Sequence, residues 1–142
     1  MSDRVYDIFI THAWRYHDDW TRMGDLIDRA MGEQWRNFSV PWYDPALDPN
    51  TELGNRLVHR WLEQQIVPAC GIILLSSVYD NKSARRWVEL EVQFAHEHKK
   101  PIIGVPTFGQ QEMSAGAAAL VDVVCPWDAG QIIATLEERS PA

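Results

Sequence analysis

Gly71–Leu75 (GIILL) is the segment that most limits how this chain can fold. Its apolar residues run without alternation, whereas a strand with one wet face alternates apolar and polar positions. A continuous run suits a strand covered on both faces, as in a parallel sheet between two helical layers.

The rest of the sequence alternates accordingly. Val5–Ile10 (VYDIFI) is β-branched and aromatic and predicts a first strand. Met23, Leu26, Ile27, Ala30 and Met31 then recur at helical spacing, with Asp18 and Asp19 suited to the positive end of that helix. Phe38–Tyr43 (FSVPWY) predicts a second strand, and Pro41 makes it an edge. Asp44–Asn50 is a proline-broken loop, and Asn50 or Thr51 can cap a second helix that carries Leu53, Leu57, Val58, Trp61 and Leu62 on one face and fades at Pro68. After the apolar third strand, Ser76–Arg86 reads as a polar loop and Arg86–His98 as a third helix. Pro101–Val105 is a fourth strand, Pro106–Met113 a loop, Ser114–Leu120 a short helix, Val121–Val124 a fifth strand and Gln131–Glu138 the last helix. Together these predict one α/β domain over residues 1–142: a flavodoxin-like five-stranded parallel sheet of order 2-1-3-4-5 with helices on both faces. Its switch point lies between strands one and three, so Thr11–Trp14 and Ser76–Tyr79 line the ligand-binding edge.

Composition narrows the function. The 142 residues carry a net charge of −7 and no large basic cluster, which disfavours nucleic acid as a partner. No apolar stretch approaches the ~18 residues of a membrane span, and the N-terminus has no signal-peptide pattern. Cys70 and Cys125 are far apart in apolar surroundings and suit a reducing, cytoplasmic setting. No Cys/His spacing resembles a metal site, and His96 and His98 are two apart on a helix, so they cannot face one ion together.

The third helix contains the main anomaly. At about 100° per residue, Val88, Val92 and Ala95 form one apolar face with Trp87, Phe94 and His98 adjoining it, while Glu89, Gln93, His96 and Glu97 lie opposite. Glu91 falls near the centre of the apolar face. A carboxylate there is costly unless it is paired, hydrogen-bonded or solvated in a cleft. Three readings follow: Glu91 pairs with a basic residue such as Arg85 or Arg86 or caps a backbone group, the helix is rotated and Glu91 is exposed, or Glu91 lines the switch-point cleft and meets a ligand. Around the cleft, His12 either donates to a ligand or bonds to backbone, and Ser76 and Ser77 either offer hydroxyls or simply end a strand. The sequence lacks GxSxG, GxGxxG and GxxxxGK[ST], so it supports no hydrolase elbow, Rossmann fingerprint or P-loop.

Four stretches carry a family resemblance. Tyr6–Trp14 (YDIFITHAW) resembles the first-strand box of TIR domains, with Thr11 where serine is more usual. Asn37–Pro41 with Asp44-Pro45 resembles the second-strand segment of the TIR-like subfamily of bacterial Thoeris anti-phage defence, the ThsB proteins. Ser83-x-x-x-Trp87-Val88-x-x-Glu91 resembles the helix bearing the TIR catalytic glutamate, and Lys100–Val105 is similar to that subfamily's fourth strand.

The resemblance implies an enzyme that cleaves NAD⁺ between nicotinamide and ribose, with NAD⁺ as substrate and no further cofactor. It implies Glu91 as the catalytic carboxylate. Thr11, His12, Ala13, Trp14, Ser76 and Tyr79 would line the cleft, and Trp87 would pack on a ring of the substrate. The product would be a cyclic or conjugated ADP-ribose that reaches a separate effector protein. The competing expectation is a non-enzymatic TIR module assembling through the loop 42–50, with Glu91 paired to a basic residue. A flavodoxin-like or receiver-like ligand domain ranks last: the strand ends at Thr11 and Ser76 carry no acids, and the loop THAWRYH after the first strand lacks the hydroxyl- and Gly-rich character that cradles a flavin phosphate.

Overall fold

A computed structural model describes residues 5–11, 18–37 and 52–139, without the side chains of residues 52–55, 57, 58 and 83. Strands β1 (Tyr6–Ile10), β2 (Trp35–Asn37), β3 (Gly71–Leu75), β4 (Ile102–Val105) and β5 (Val123–Val124) form one sheet in the order β2-β1-β3-β4-β5. Every pairing is parallel, so the expected topology holds. The helices are α1 (Asp18–Met31), α2 (Glu52–Ile66), α3 (Ser76–Asp80), α4 (Lys82–Glu97), α5 (Ala115–Ala118) and α6 (Ala129–Arg139). α1 packs with α6 and α2 with α4, giving a helical layer on each face.

All five residues of β3 are buried, as a doubly covered central strand requires. Ile8, Phe9 and Ile10 of β1 and Ile102 and Ile103 of β4 complete the centre of the core. Met23 and Ile27 reach it from α1, Val88 and Ala95 from α4, and Ile132 and Leu136 from α6. The edges are secured by polar links. Asp7 and Arg36 are register partners on β1 and β2 and are joined by two hydrogen bonds, 2.6 and 2.9 Å. Trp35 Nε1 donates to Asp28 on α1 at 2.8 Å, and Ile102 N donates to Asp122 at 2.8 Å beside β5.

The structure corrects several local expectations. The second strand is Trp35–Asn37, starting before the predicted segment, and Phe38–Tyr43 lies outside the described residues. Trp35 is buried against α1, so the strand begins where a large ring can enter the core. Ser76–Arg86 is not a loop: α3 starts directly after β3, and α4 starts at Lys82. The polar surface of this segment concealed its helical geometry, because Val78 and Ala84 supply its only fully apolar anchors to the core. On α2, Leu62 and Ile66 are buried but Trp61 is 39% exposed, so Trp61 sits off the buried face. Ala30 is likewise exposed on α1. His98 does not join the apolar face of α4: it follows the last turn, is exposed, and lies 3.1 Å from Glu63.

Candidate functional site

The carboxyl edge of the sheet is tightly cross-linked. Thr11 follows β1 and is fully buried. Its backbone N–H donates to Ile73 O, and its Oγ1 accepts from Leu75 N, both at 2.9 Å. The hydroxyl therefore joins the ends of β1 and β3 at the switch point. Ser76, also buried, donates to Asp80 at 3.3 Å and accepts from Ser114 N at 3.4 Å. Tyr79 is half-buried, with the Arg85 guanidinium 4.9 Å from its ring centroid and Arg85 Nε donating to its carbonyl at 3.2 Å. His12, Ala13 and Trp14, and the loop 42–50, lie outside the described residues.

The sequence suits Asp19 to the positive end of the α1 dipole, and the structure makes it a hub of this edge as well. It is buried at the start of α1, its Oδ1 accepts from Arg22 at 2.9 Å, and its Oδ2 accepts from Ser77 Oγ at 2.7 Å and Phe108 N at 3.2 Å. One carboxylate thus ties together the segments that follow β1, β3 and β4. Its phase carried a usable signal: Asp19, Met23 and Ile27 form the buried stripe of α1, so an acid occupied a core-facing position there too.

The α4 stripe is Ala84, Trp87, Val88, Glu91, Val92 and Ala95, all buried. Glu91 is 0% exposed, and among the described residues neither carboxylate oxygen has a hydrogen-bond partner. This removes two of the three readings: Glu91 is not exposed, and among the described residues no basic side chain pairs with it. Arg85 is engaged with Tyr79, while the Arg86 guanidinium lies over the Trp87 ring, 4.2 Å from its centroid. Burial without a partner pushes the Glu91 carboxyl well above its ordinary range, favouring the neutral form. A buried, unsatisfied carboxyl costs stability, and such departures concentrate at functional sites.

Trp87 stands one turn before Glu91 on the side facing α2. His59 meets it edge-on with centroids 6.1 Å apart. A groove of about 430 Å³ is lined there by His59, Arg86, Trp87, Glu89, Leu90 and Gln93. The sequence does not single out His59, because its place depends on how α2 crosses α4. The groove does not include Thr11, Ser76 or Tyr79, so the described residues form two regions, the carboxyl edge and the α2–α4 groove. Glu91 is enclosed between α4 and the core. Glu63 of α2, Glu97 at the end of α4 and His98 just after it bring potential metal-ligand atoms within 4.8 Å of one another, but they lie at the far end of α4 from Trp87 and one of the three contacts is the His98–Glu63 hydrogen bond.

A sequence model of the Thoeris protein ThsB TIR-like domain matches residues 9–112. The chain belongs to the ThsB TIR-like family. The matched span runs from β1 through β4 and includes Thr11, Asp19, Ser76, Trp87 and Glu91. No curated protein matches the chain. The family carries with it a place in Thoeris anti-phage defence, and the sheet order is that expected of a TIR-like α/β fold. Among the described residues, no helix of this ThsB-family chain is long and apolar enough to cross a membrane.

Proposed function

We propose that this ThsB-family chain cleaves NAD⁺ at the bond between nicotinamide and ribose C1′, with Glu91 as the carboxylate beside the ribose. The ADP-ribose portion leaves as a cyclic or conjugated signal for a separate effector, and the substrate pool places the activity in the cytoplasm. The observation that supports this reading is the buried Glu91 carboxyl, whose two oxygens have no hydrogen-bond partner among the described residues, one helical turn after Trp87.

When the C–N bond breaks, its electron pair goes to nicotinamide and neutralises the ring. Positive charge develops on the ribose, as in an oxocarbenium-like transition state. A group of the nucleotide itself in cyclisation, or a nucleophile of a second small molecule in conjugation, then attacks C1′ and loses its proton. The cationic nicotinamide leaves without a general acid. Glu91 has to supply negative charge and acceptors for ribose hydroxyls, and dry surroundings strengthen both interactions. At rest, burial raises the carboxyl well above its ordinary range and so favours the neutral form. A cationic substrate with hydroxyl donors favours the ionised form, so the substrate completes the site. Because Glu91 is enclosed, productive binding requires the packing around α4 to open. Thr11 and Ser76 contribute by shaping the mouth, since their hydroxyls are already hydrogen-bonded.

Enclosure of Glu91 favours the competing reading of a non-enzymatic interaction module. Against it, a solitary buried carboxyl in such a module lowers stability without a compensating partner. Nicotinamide release, followed by liquid chromatography for the purified chain and for extracts of phage-challenged cells, separates the two. Release that Glu91→Gln abolishes supports the proposal. Release that persists without Glu91 removes its assigned role, and no release in either setting leaves the interaction module.

A further inference from the structure

We propose that Phe108, on the loop after β4, is the platform on which the adenine ring of the nucleotide stacks. The inference rests on the NAD⁺ reading and adds a recognition element at the far end of that substrate. Phe108 is 53% exposed. A lone exposed apolar side chain is ordinary, but this one is held on several sides.

Residues 107–110 form a tight turn closed by Gln110 N donating to Thr107 O at 2.8 Å. Gly109 follows Phe108 with φ +90°, a conformation that strongly favours glycine at the third position of such a turn. The Phe108 backbone N–H is anchored on the buried Asp19 carboxylate at 3.2 Å. Arg22, also held by Asp19, lies over the Phe108 ring, 4.6 Å from its centroid. Trp127 stands perpendicular at 5.3 Å and is itself fixed by Nε1 donating to Pro106 O at 2.8 Å. The turn, the carboxylate, the guanidinium and the indole together orient a ring whose remaining surface faces solvent.

The location favours a nucleotide base as occupant. Asp19 links the segments following β1, β3 and β4, so Phe108 stands at the carboxyl edge of the sheet, where folds of this topology bind ligands. A rigid ring with an open surface recognises flat heteroaromatic groups, and the arginine beneath it continues the stack. In NAD⁺ the group free to take that place is adenine, since nicotinamide must approach Glu91.

Titration calorimetry of the full chain with ADP-ribose and with AMP tests the platform without turnover. Phe108→Ala is expected to weaken both ligands about tenfold, whereas Phe108→Tyr, which keeps an aromatic face, retains wild-type affinity. Saturation-transfer NMR should place the strongest transfer on the adenine protons of ADP-ribose and lose it in Phe108→Ala. Equal affinities for wild type and Phe108→Ala, or no binding of either ligand to wild type, overturn the platform. If nicotinamide release is nevertheless Glu91-dependent, the NAD⁺ reading survives that failure. Conversely, Phe108-dependent AMP binding without any release of nicotinamide keeps a purine site and removes the NAD⁺ reading.

Discussion

The Ser77 hydroxyl donates to Asp19 Oδ2 at 2.7 Å, joining the first turn of α1 to the helix that follows the central strand. The same oxygen accepts from Phe108 N, so the relationship extends to the loop after β4. Asp19→Ala removes a buried acceptor of three hydrogen bonds. It should cost about 2–4 kcal/mol, since bonds to charged groups contribute about 1.5–3 kcal/mol and unsatisfied donors add a penalty. Ser77→Ala should cost about 1 kcal/mol. Urea unfolding of both variants checks this ranking, and equal costs would show that Asp19 is not the hub.

Thr11 makes a similar link one residue beyond β1. Its Oγ1 takes the Leu75 N–H in a fully buried position. Thr11→Ser keeps the acceptor and should stay within about 1 kcal/mol of wild type, losing only a methyl group. Thr11→Val keeps the shape but leaves the Leu75 N–H without a partner, at a cost of about 1–3 kcal/mol. A valine variant as stable as the serine variant would contradict the role of this hydrogen bond.

Glu91 predicts an unusual pH dependence. Its folded carboxyl titrates well above 4.5 because of burial, while the unfolded chain ionises near the ordinary value. Between those two values the folded state holds the extra proton. The stability contribution is therefore complete at acidic pH, falls as pH rises above 4.5, and levels off beyond the folded value. The slope reaches about 1.4 kcal/mol per pH unit within the window. Glu91→Gln cannot lose a proton, so it should gain stability relative to wild type as pH increases. Unfolding curves collected from acid to neutral pH show this as a widening gap, and parallel curves would mean that Glu91 is solvated or paired.

Gly71 begins the central strand at a close approach. A Cβ there would lie 2.3 Å from Leu136 Cδ2 and 3.3 Å from Pro101 Cγ. Leu136 is fully buried and has little room to retreat. Gly71→Ala should cost about 1–3 kcal/mol by overpacking. Combining it with Leu136→Ala should cost less than the sum of the two single changes, because the second change removes the clash. Strict additivity in a double-mutant cycle would place the strain elsewhere.

The sequence by itself determined the sheet. The unbroken apolar run of β3, the alternation of strands with helical spacing and the phase of α4 depend on local periodicity, and each is legible without a partner. The apolar stripe of α4 was enough to identify Glu91 as anomalous. The start of β2 and the helical geometry of Ser76–Asp80 were not legible, because short segments take their conformation from what they pack against. Only the tertiary structure decided what surrounds each polar group. It showed Glu91 enclosed without a partner among the described residues while Arg85 and Arg86 face aromatic rings, and it gathered Asp19, Ser77 and Phe108 from three distant segments. The physical reason is that periodicity gives the face on which a side chain lies, whereas hydrogen-bond satisfaction depends on groups brought together by the crossovers of a parallel sheet.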